Sequence, residues 1–395
     1  MRQKFFLLIA LLCTVVQGAW AADRNYGYPT KTKPSFYTSY GGKSNVVVIN
    51  TAAELAYITA NFSDGSGYDD NKDWDELDYY LNADIDMGTT YSWLPMGRES
   101  YTVTKYSGTF WGNNHTITYK TWDLDEENQG LFSTIHKDGK VYDVNVVCDI
   151  NSDKDYVGGI AGENYGLIDG CTVMANIRSN EDYVGGIAGD LDKNATIKNC
   201  KVSGLINCEQ SRYVGGIVGR YGTNSSATGK ISNCWVSADV CSNYNSLAAS
   251  TNIGGIVGAG GPDITIEYCC MTGNVKAPYQ GIVGGIIAQF GDYTKLDHVT
   301  MYGTITCRQP PKNDWVGADH STANGSVQYT LTNNHTADDL ADDAALSNYL
   351  ATVSEEYALY RYAVKYPYAV TVNIVGLGEV EVSAGGETDI PGWRH

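Results

Sequence analysis

The apolar positions of this chain recur with a period of two. Six segments carry apolar or small residues at every other place: Val144/Val146/Cys148/Ile150, Cys171/Val173/Ala175/Ile177, Cys200/Val202/Gly204/Ile206, Cys234/Val236/Ala238/Val240, Cys269/Met271/Gly273/Val275 and Val299/Met301/Gly303/Ile305. Such alternation sets one row of side chains on a single face of a strand. The residues between them, such as Thr172 and Asn176 or Ser237 and Asp239, are mostly polar and form the outward face. The third inward place is always Cys, Ala or Gly, which predicts a narrow part of a stacked interior. The step from Ile168 to Cys171, like its equivalents in later copies, is three residues and breaks the parity. The chain must therefore bend there.

A second signature alternates with the first. It reads Val157-Gly-Gly-Ile160, Val184-Gly-Gly-Ile187, Val214-Gly-Gly-Ile217, Ile253-Gly-Gly-Ile256 and Val283-Gly-Gly-Ile286, at spacings of 27, 30, 39 and 30 residues. Internal repeats of this length mark a solenoid, and the period of two makes it a strand solenoid. Each repeat is expected to hold a glycine-rich strand, a short strand ending at the Ile, a corner and the alternating strand. Coils of this kind stack at about 4.8 Å. The handedness of parallel crossovers favours a right-handed coil. The predicted fold class is all-β: a right-handed parallel β-helix with short capping helices and a partial C-terminal β module.

Stacking also accounts for the cysteines. Cys171, Cys200, Cys234 and Cys269 share one inward column, where free thiols are favoured over disulfides because four in a row leave no unique pairing. Setting Cys13 aside leaves nine of the ten cysteines, an odd number that argues against a fully paired framework. By parity Cys270 points outward, and it is the thiol expected to react most readily.

Residues 51–60 have the spacing of a short helix, with Thr51 and Glu54 in a capping-box pattern, suited to covering the first coil. Residues 337–357 read as helical and suited to closing the other end. Residues 369–382 alternate as strand, turn and strand. The expected order is a signal peptide (1–21), an N-terminal linker (22–45), a parallel β-helix with its capping helix (46–330), a helical closing segment (331–367) and an incomplete β-repeat module (368–395).

The segments Ile49-Asn-Thr-Ala-Ala-Glu-Leu55, Leu81-Asn-Ala-Asp-Ile-Asp-Met87, Trp93-Leu-Pro-Met-Gly97, Tyr106-Ser-Gly-Thr-Phe-Trp-Gly112, Gly130-Leu-Phe132 and the Val-Gly-Gly-Ile-Ala-Gly repeats resemble, in this order, bacterial GLUG-motif proteins. The resemblance covers about residues 46–310 and implies a secreted or surface β-helical protein, often adhesin-like. Some relatives are attached to zinc peptidases. The His-Glu-x-x-His element those use is absent here, so that activity does not carry over.

The chain start agrees with export. Arg2 and Lys4 precede an apolar run at 5–16, too short to span a bilayer, and Ala19-Trp20-Ala21 offers a cleavage signal. Acylation of Cys13 is disfavoured, because Leu11 and Leu12 precede it where small residues are needed. No later segment is apolar enough to cross a membrane. Loss of Arg2 and Lys4 takes the formal charge from −18 to −20, which disfavours nucleic acid and anionic lipid.

The search for chemistry is otherwise negative, with no catalytic, cofactor or metal residues identified. The six histidines are scattered without ligand spacing. In the outward column Asp149 and Asp239 lie three coils apart, about 14 Å, too far for a glycosidase pair. Lys201 is the one basic residue at the outward positions of the alternating strands. The stretch 69–75 resembles the start of a calcium loop but has Trp74 where glycine is required, and 123–128 is another acidic loop. Tyr156, Tyr183 and Tyr213 should stack in one outward column. This column is either a contact surface or a self-stabilising ladder. Asn252 and Ile282 end it. The reading is a secreted or cell-surface binding protein contacting glycans or extracellular proteins, with a polysaccharide-active enzyme as the alternative. The sequence does not give the oligomeric state.

Overall fold

The computed structural model describes residues 30–62, 74–97, 105–122, 127–222, 229–243, 251–277, 282–307, 316–319, 329–332, 334–336, 338–340, 342–365, 367, 370–374 and 380–384. The signal peptide reading and most of the calcium-loop and 123–128 readings therefore lie outside the described residues.

The chain forms a parallel β-solenoid, with strands of 21-, 7- and 5-stranded sheets stacking from coil to coil. Register is set by the repeats themselves. In the long strands Val146, Val173, Val202, Val236, Met271 and Met301 lie side by side from one coil to the next. In the short strands Ile168, Ile197, Ile231, Ile266 and Leu296 do the same. All of them are buried. Because both rows point inward, adjacent coils extend one core through the length of the solenoid.

One coil has four strands, one more than expected. The glycine signature splits at its second Gly and its Ile: Val157–Gly158 belongs to one sheet and Ala161–Asn164 to another. Two contacts explain the glycines. A Cβ on Gly159 would lie 2.5 Å from Val173 Cγ1 and 2.7 Å from the Gly186 carbonyl oxygen. A Cβ on Gly189 would lie 2.6 Å from the Tyr183 carbonyl oxygen, because the tyrosine turn passes directly over it.

The parity-breaking corner is a left-handed residue in every copy. Asp143, Gly170, Asn199, Asn233, Tyr268 and His298 have φ between +49° and +71°. One αL residue reverses the side-chain phase between the Ile and the next inward residue. Asp, Asn and Gly adopt this region at low cost. Asparagines also stack here: Asn199 Nδ2 donates to Asp169 (2.6 Å), and Asn233 Nδ2 donates to Asn199 Oδ1 (2.6 Å).

The cysteine column forms as expected from the pattern. Cys171, Cys200, Cys234 and Cys269 are fully buried free thiols. Each donates to the carbonyl two residues earlier, across the corner, at 3.0–3.4 Å. Burial raises the pKa of Cys171, Cys200 and Cys234 well above the ordinary value.

Helix α1 (Ala52–Phe62) begins with the capping box. Thr51 Oγ1 accepts from Glu54 N, and Glu54 accepts from Thr51 N. Its Leu55, Ile58 and Phe62 enter the core, with Phe62 packed on Tyr79 and Tyr106. The segment expected as a linker at 22–45 holds a strand, Ser35–Tyr40, paired antiparallel with Lys43–Ile49. The parallel strands run on past residue 330, to His335–Thr336.

The helical segment also sits elsewhere than expected. Helices α2 (Asp343–Thr352) and α3 (Ala358–Lys365) lie on the outer flank of the long strands, not across the end of the stack. They cover Trp235 and Cys270, which belong to one outward column with Lys201 and Thr300. Tyr360 hydroxyl bonds to Thr300 Oγ1 at 2.7 Å, and Tyr302 hydroxyl donates to the Val364 carbonyl at 2.9 Å. Cys270 therefore does point away from the core, yet it is completely buried, and burial pushes its pKa far above the ordinary thiol value. The expectation that it is the most reactive thiol is overturned, because a second layer covers it. Beyond α3, Val370–Ile374 and Val380–Ala384 pair antiparallel as the expected strand–turn–strand.

Candidate functional site

Tyr156, Tyr183 and Tyr213 stand in one ladder on the turn that enters the glycine strand. Ring centroids are 4.7 Å apart at 15° for the first pair and 5.1 Å apart at 5° for the second. In register the column continues to Asn252 and Ile282, where it ends. The rings cover one another's faces, so they offer edges and hydroxyls outward more than open ring faces.

Beside the ladder runs a column that sequence reading missed. Glu163, Asp190 and Arg220 are in register on consecutive strands of the seven-stranded sheet. Arg220 bonds Asp190 with two parallel contacts, Nε to Oδ1 at 2.9 Å and Nη2 to Oδ2 at 3.2 Å. Its guanidinium lies over the Tyr183 ring at 4.0 Å and over Tyr156 at 5.6 Å. Asp190 is buried, and that burial raises its pKa despite the opposing pull of Arg220. Glu163 accepts from Tyr165 hydroxyl (3.2 Å), Asn128 and Thr134. Lys105 lies over the Tyr165 ring at 4.0 Å. A second pair, Arg212 with Asp182, joins the lower end near Tyr213. The available signal was the residue after the third glycine of each signature: Glu163, Asp190, Arg220 and Ala259. Its residue types differ from coil to coil, so only the strand register shows it as a column.

The outward column of the long strands is a structural ladder. Asp149 is held by Lys120 (3.0 Å) and by Asn176 (3.0 Å), and Asp239 by Lys276 (2.6 Å) and Asn274 (2.8 Å). Burial raises the Asp239 pKa, and those hydrogen bonds more than reverse it. Lys201 is deeply buried against Trp235. Among the described residues no group of three or more His, Cys, Asp or Glu is placed to hold a metal. No helix of the described residues is long and apolar enough to cross a membrane.

The arrangement can present a rigid polar and aromatic surface. It can also present two in-register carboxyls, Glu163 and Asp190, on strands about 4.8 Å apart.

No family model and no curated protein matches the chain. Among solved structures it is similar to a Bacteroides ovatus protein described as a candidate immunoglobulin A1 protease. The TM-score is 0.53 at 18% identity, over 75% of this chain and 86% of that one. At that identity the likeness is one of fold.

Proposed function

We propose that this protein is an exported, cell-surface or secreted β-helical binding protein whose ligands are extracellular glycans or proteins. The observation that carries the reading is the ladder of Tyr156, Tyr183 and Tyr213 locked against the Arg220–Asp190 pair. It spans three coils and is rigid, and stacked aromatics with fixed polar partners suit a contact surface. The signal-like start and the GLUG-type repeats support the extracellular placement. The test is twofold. Protease treatment of intact cells should remove the protein, and arrays of glycans and extracellular proteins should report a ligand whose binding falls in Tyr183→Ala and Arg220→Ala. A protein that stays protected inside intact cells and binds nothing would sink the reading.

One observation favours a second reading. Glu163 and Asp190 are in register on neighbouring strands, Asp190 has a raised pKa, and retaining glycosidases use a pair of carboxyls about 5 Å apart. A polysaccharide-active enzyme would release reducing ends from a polysaccharide panel and lose that activity in Glu163→Gln. The protease named for the structural neighbour has no sequence support here from a His-Glu-x-x-His element.

A further inference from the structure

The first coils carry a second aromatic row on a different face. Tyr80, Trp111 and Tyr142 are in register on consecutive short strands and point outward, each half-buried. Tyr40 of the N-terminal hairpin lies out of register with the row but packs its ring 5.4 Å from Tyr80 and 4.9 Å from Tyr37, which is 40% exposed. On the next coil the same column turns polar at Asp169, which is bound to Lys198 and Asn199. The aromatic row is thus confined to three successive levels of the stack.

Its surroundings indicate what it suits. Lys43 Nζ lies 4.7 Å from the centre of the Trp111 ring, so a cation borders the row at its middle member. Exposed Asn113 and Asn114 follow at the corner, and Asp143 stands at the next corner. Aromatic faces bordered by planar polar side chains match the two sides of a sugar ring, one built of C–H groups and the other of hydroxyls. The charges on adjoining positions, Lys43 and Lys140 against Asp78 and Asp143, cancel on a chain whose formal charge is −18. That balance favours a neutral chain over a uronate or sulfated one. Successive rings rise by about 4.8 Å per coil along the axis, so a linear chain meets one aromatic per level.

We propose that the row Tyr80, Trp111 and Tyr142, flanked by Tyr40, is a platform for a neutral polysaccharide lying along the solenoid axis. This rests on the reading of the protein as a surface-binding module, and adds a site separate from the Tyr183 ladder.

The test is affinity electrophoresis of the purified full chain in gels containing galactomannan, yeast mannan, amylopectin or mixed-linkage β-glucan, with polygalacturonate as the anionic comparator. At least one neutral polymer should retard the protein. Trp111→Ala and Tyr142→Thr should each weaken the retardation at least tenfold, and Tyr293→Ala, at a 63% exposed tyrosine outside both surfaces, should leave it unchanged. Tyr142→Thr is the variant that keeps the test valid if Trp111→Ala fails to fold, as judged by circular dichroism. Retardation that survives both substitutions, or that falls equally in Tyr293→Ala, overturns this site while leaving the binding reading intact. Retardation by polygalacturonate alone, or by none of the polymers, also overturns it. The binding reading itself is judged separately, by surface exposure on cells and by array binding that falls in Tyr183→Ala and Arg220→Ala.

Discussion

The ammonium of Lys201 lies 4.2 Å from the centre of the Trp235 ring, on the flank of the solenoid. The residue is almost completely buried, and desolvation lowers its pKa from 10.5 to about 8. A lysine whose folded pKa is depressed costs stability wherever the unfolded chain holds the proton more tightly. The cost is full below about 8 and fades as pH rises toward 10.5. Its size is about 3 kcal/mol before the attraction to Trp235 is counted. Lys201→Met is therefore expected to raise the melting temperature at pH 7. The difference from the native protein should shrink between pH 8 and 10.5. A difference that is constant over that range would contradict this account.

Cys270 should be silent toward thiol reagents in the folded protein. Trp235 and the helical layer of Tyr360, Ala363 and Val364 bury it, and burial raises its pKa. Half-exposed Cys241 and Cys307 should label first with iodoacetamide. Tyr360→Ala removes the hydroxyl pair to Thr300 and loosens the cover. Peptide mass spectrometry should then find Cys270 modified. Rapid labelling of Cys270 in the native chain would show that the helices do not sit where the structure puts them.

Asn233 joins three tasks at one corner. It has φ +49°, donates to Asn199 at 2.6 Å, and accepts from the backbone N–H of Tyr360 at 2.9 Å. Asn233→Ala is expected to destabilise by about 2–3 kcal/mol, combining left-handed strain with a buried N–H left without its acceptor. Asn233→Gly should recover the strain part only. Urea midpoints of the two variants check the ordering.

Arg220→Ala leaves the Asp190 carboxyl buried without its partner. The expected loss is about 3 kcal/mol at neutral pH. The Asp190 pKa is already raised in the folded state, and it rises further when Arg220 is gone. A carboxyl with a raised folded pKa lowers stability above that pKa and ceases to do so once protonated. The loss in Arg220→Ala should therefore shrink as pH falls toward 4. Thermal melts from pH 7 to pH 4 measure it, and a loss that is flat across this range would rule out the buried charge as its cause.

Much of the coil was legible because stacking repeats the same local choice. The period of two placed Val173, Val202 and Val236 inward, and the three-residue step placed the corner that Gly170, Asn199 and Asn233 turn with positive φ. The tyrosine ladder followed from equal spacing before the glycine signature. The split of that signature into two strands was not legible, since two glycines in a row carry no inward–outward pattern. Glu163, Asp190 and Arg220 escaped notice because their chemical types differ from coil to coil. Only register makes them neighbours.

By itself the sequence determined the solenoid, its inward columns, the capping box at Thr51 and Glu54, and the buried stack of Cys171, Cys200, Cys234 and Cys269. All of these depend on neighbours that recur at one repeat length. The tertiary structure alone decided that Ser35–Tyr40 pairs against the first strand, that helices α2 and α3 lie along the flank, and that Cys270 is covered. Parity tells which side of a strand a residue faces. It does not tell whether a segment some 90 residues further along the chain, such as Tyr360 over Cys270, will come to lie on that side. That depends on shape and polarity matching between surfaces that share no repeat.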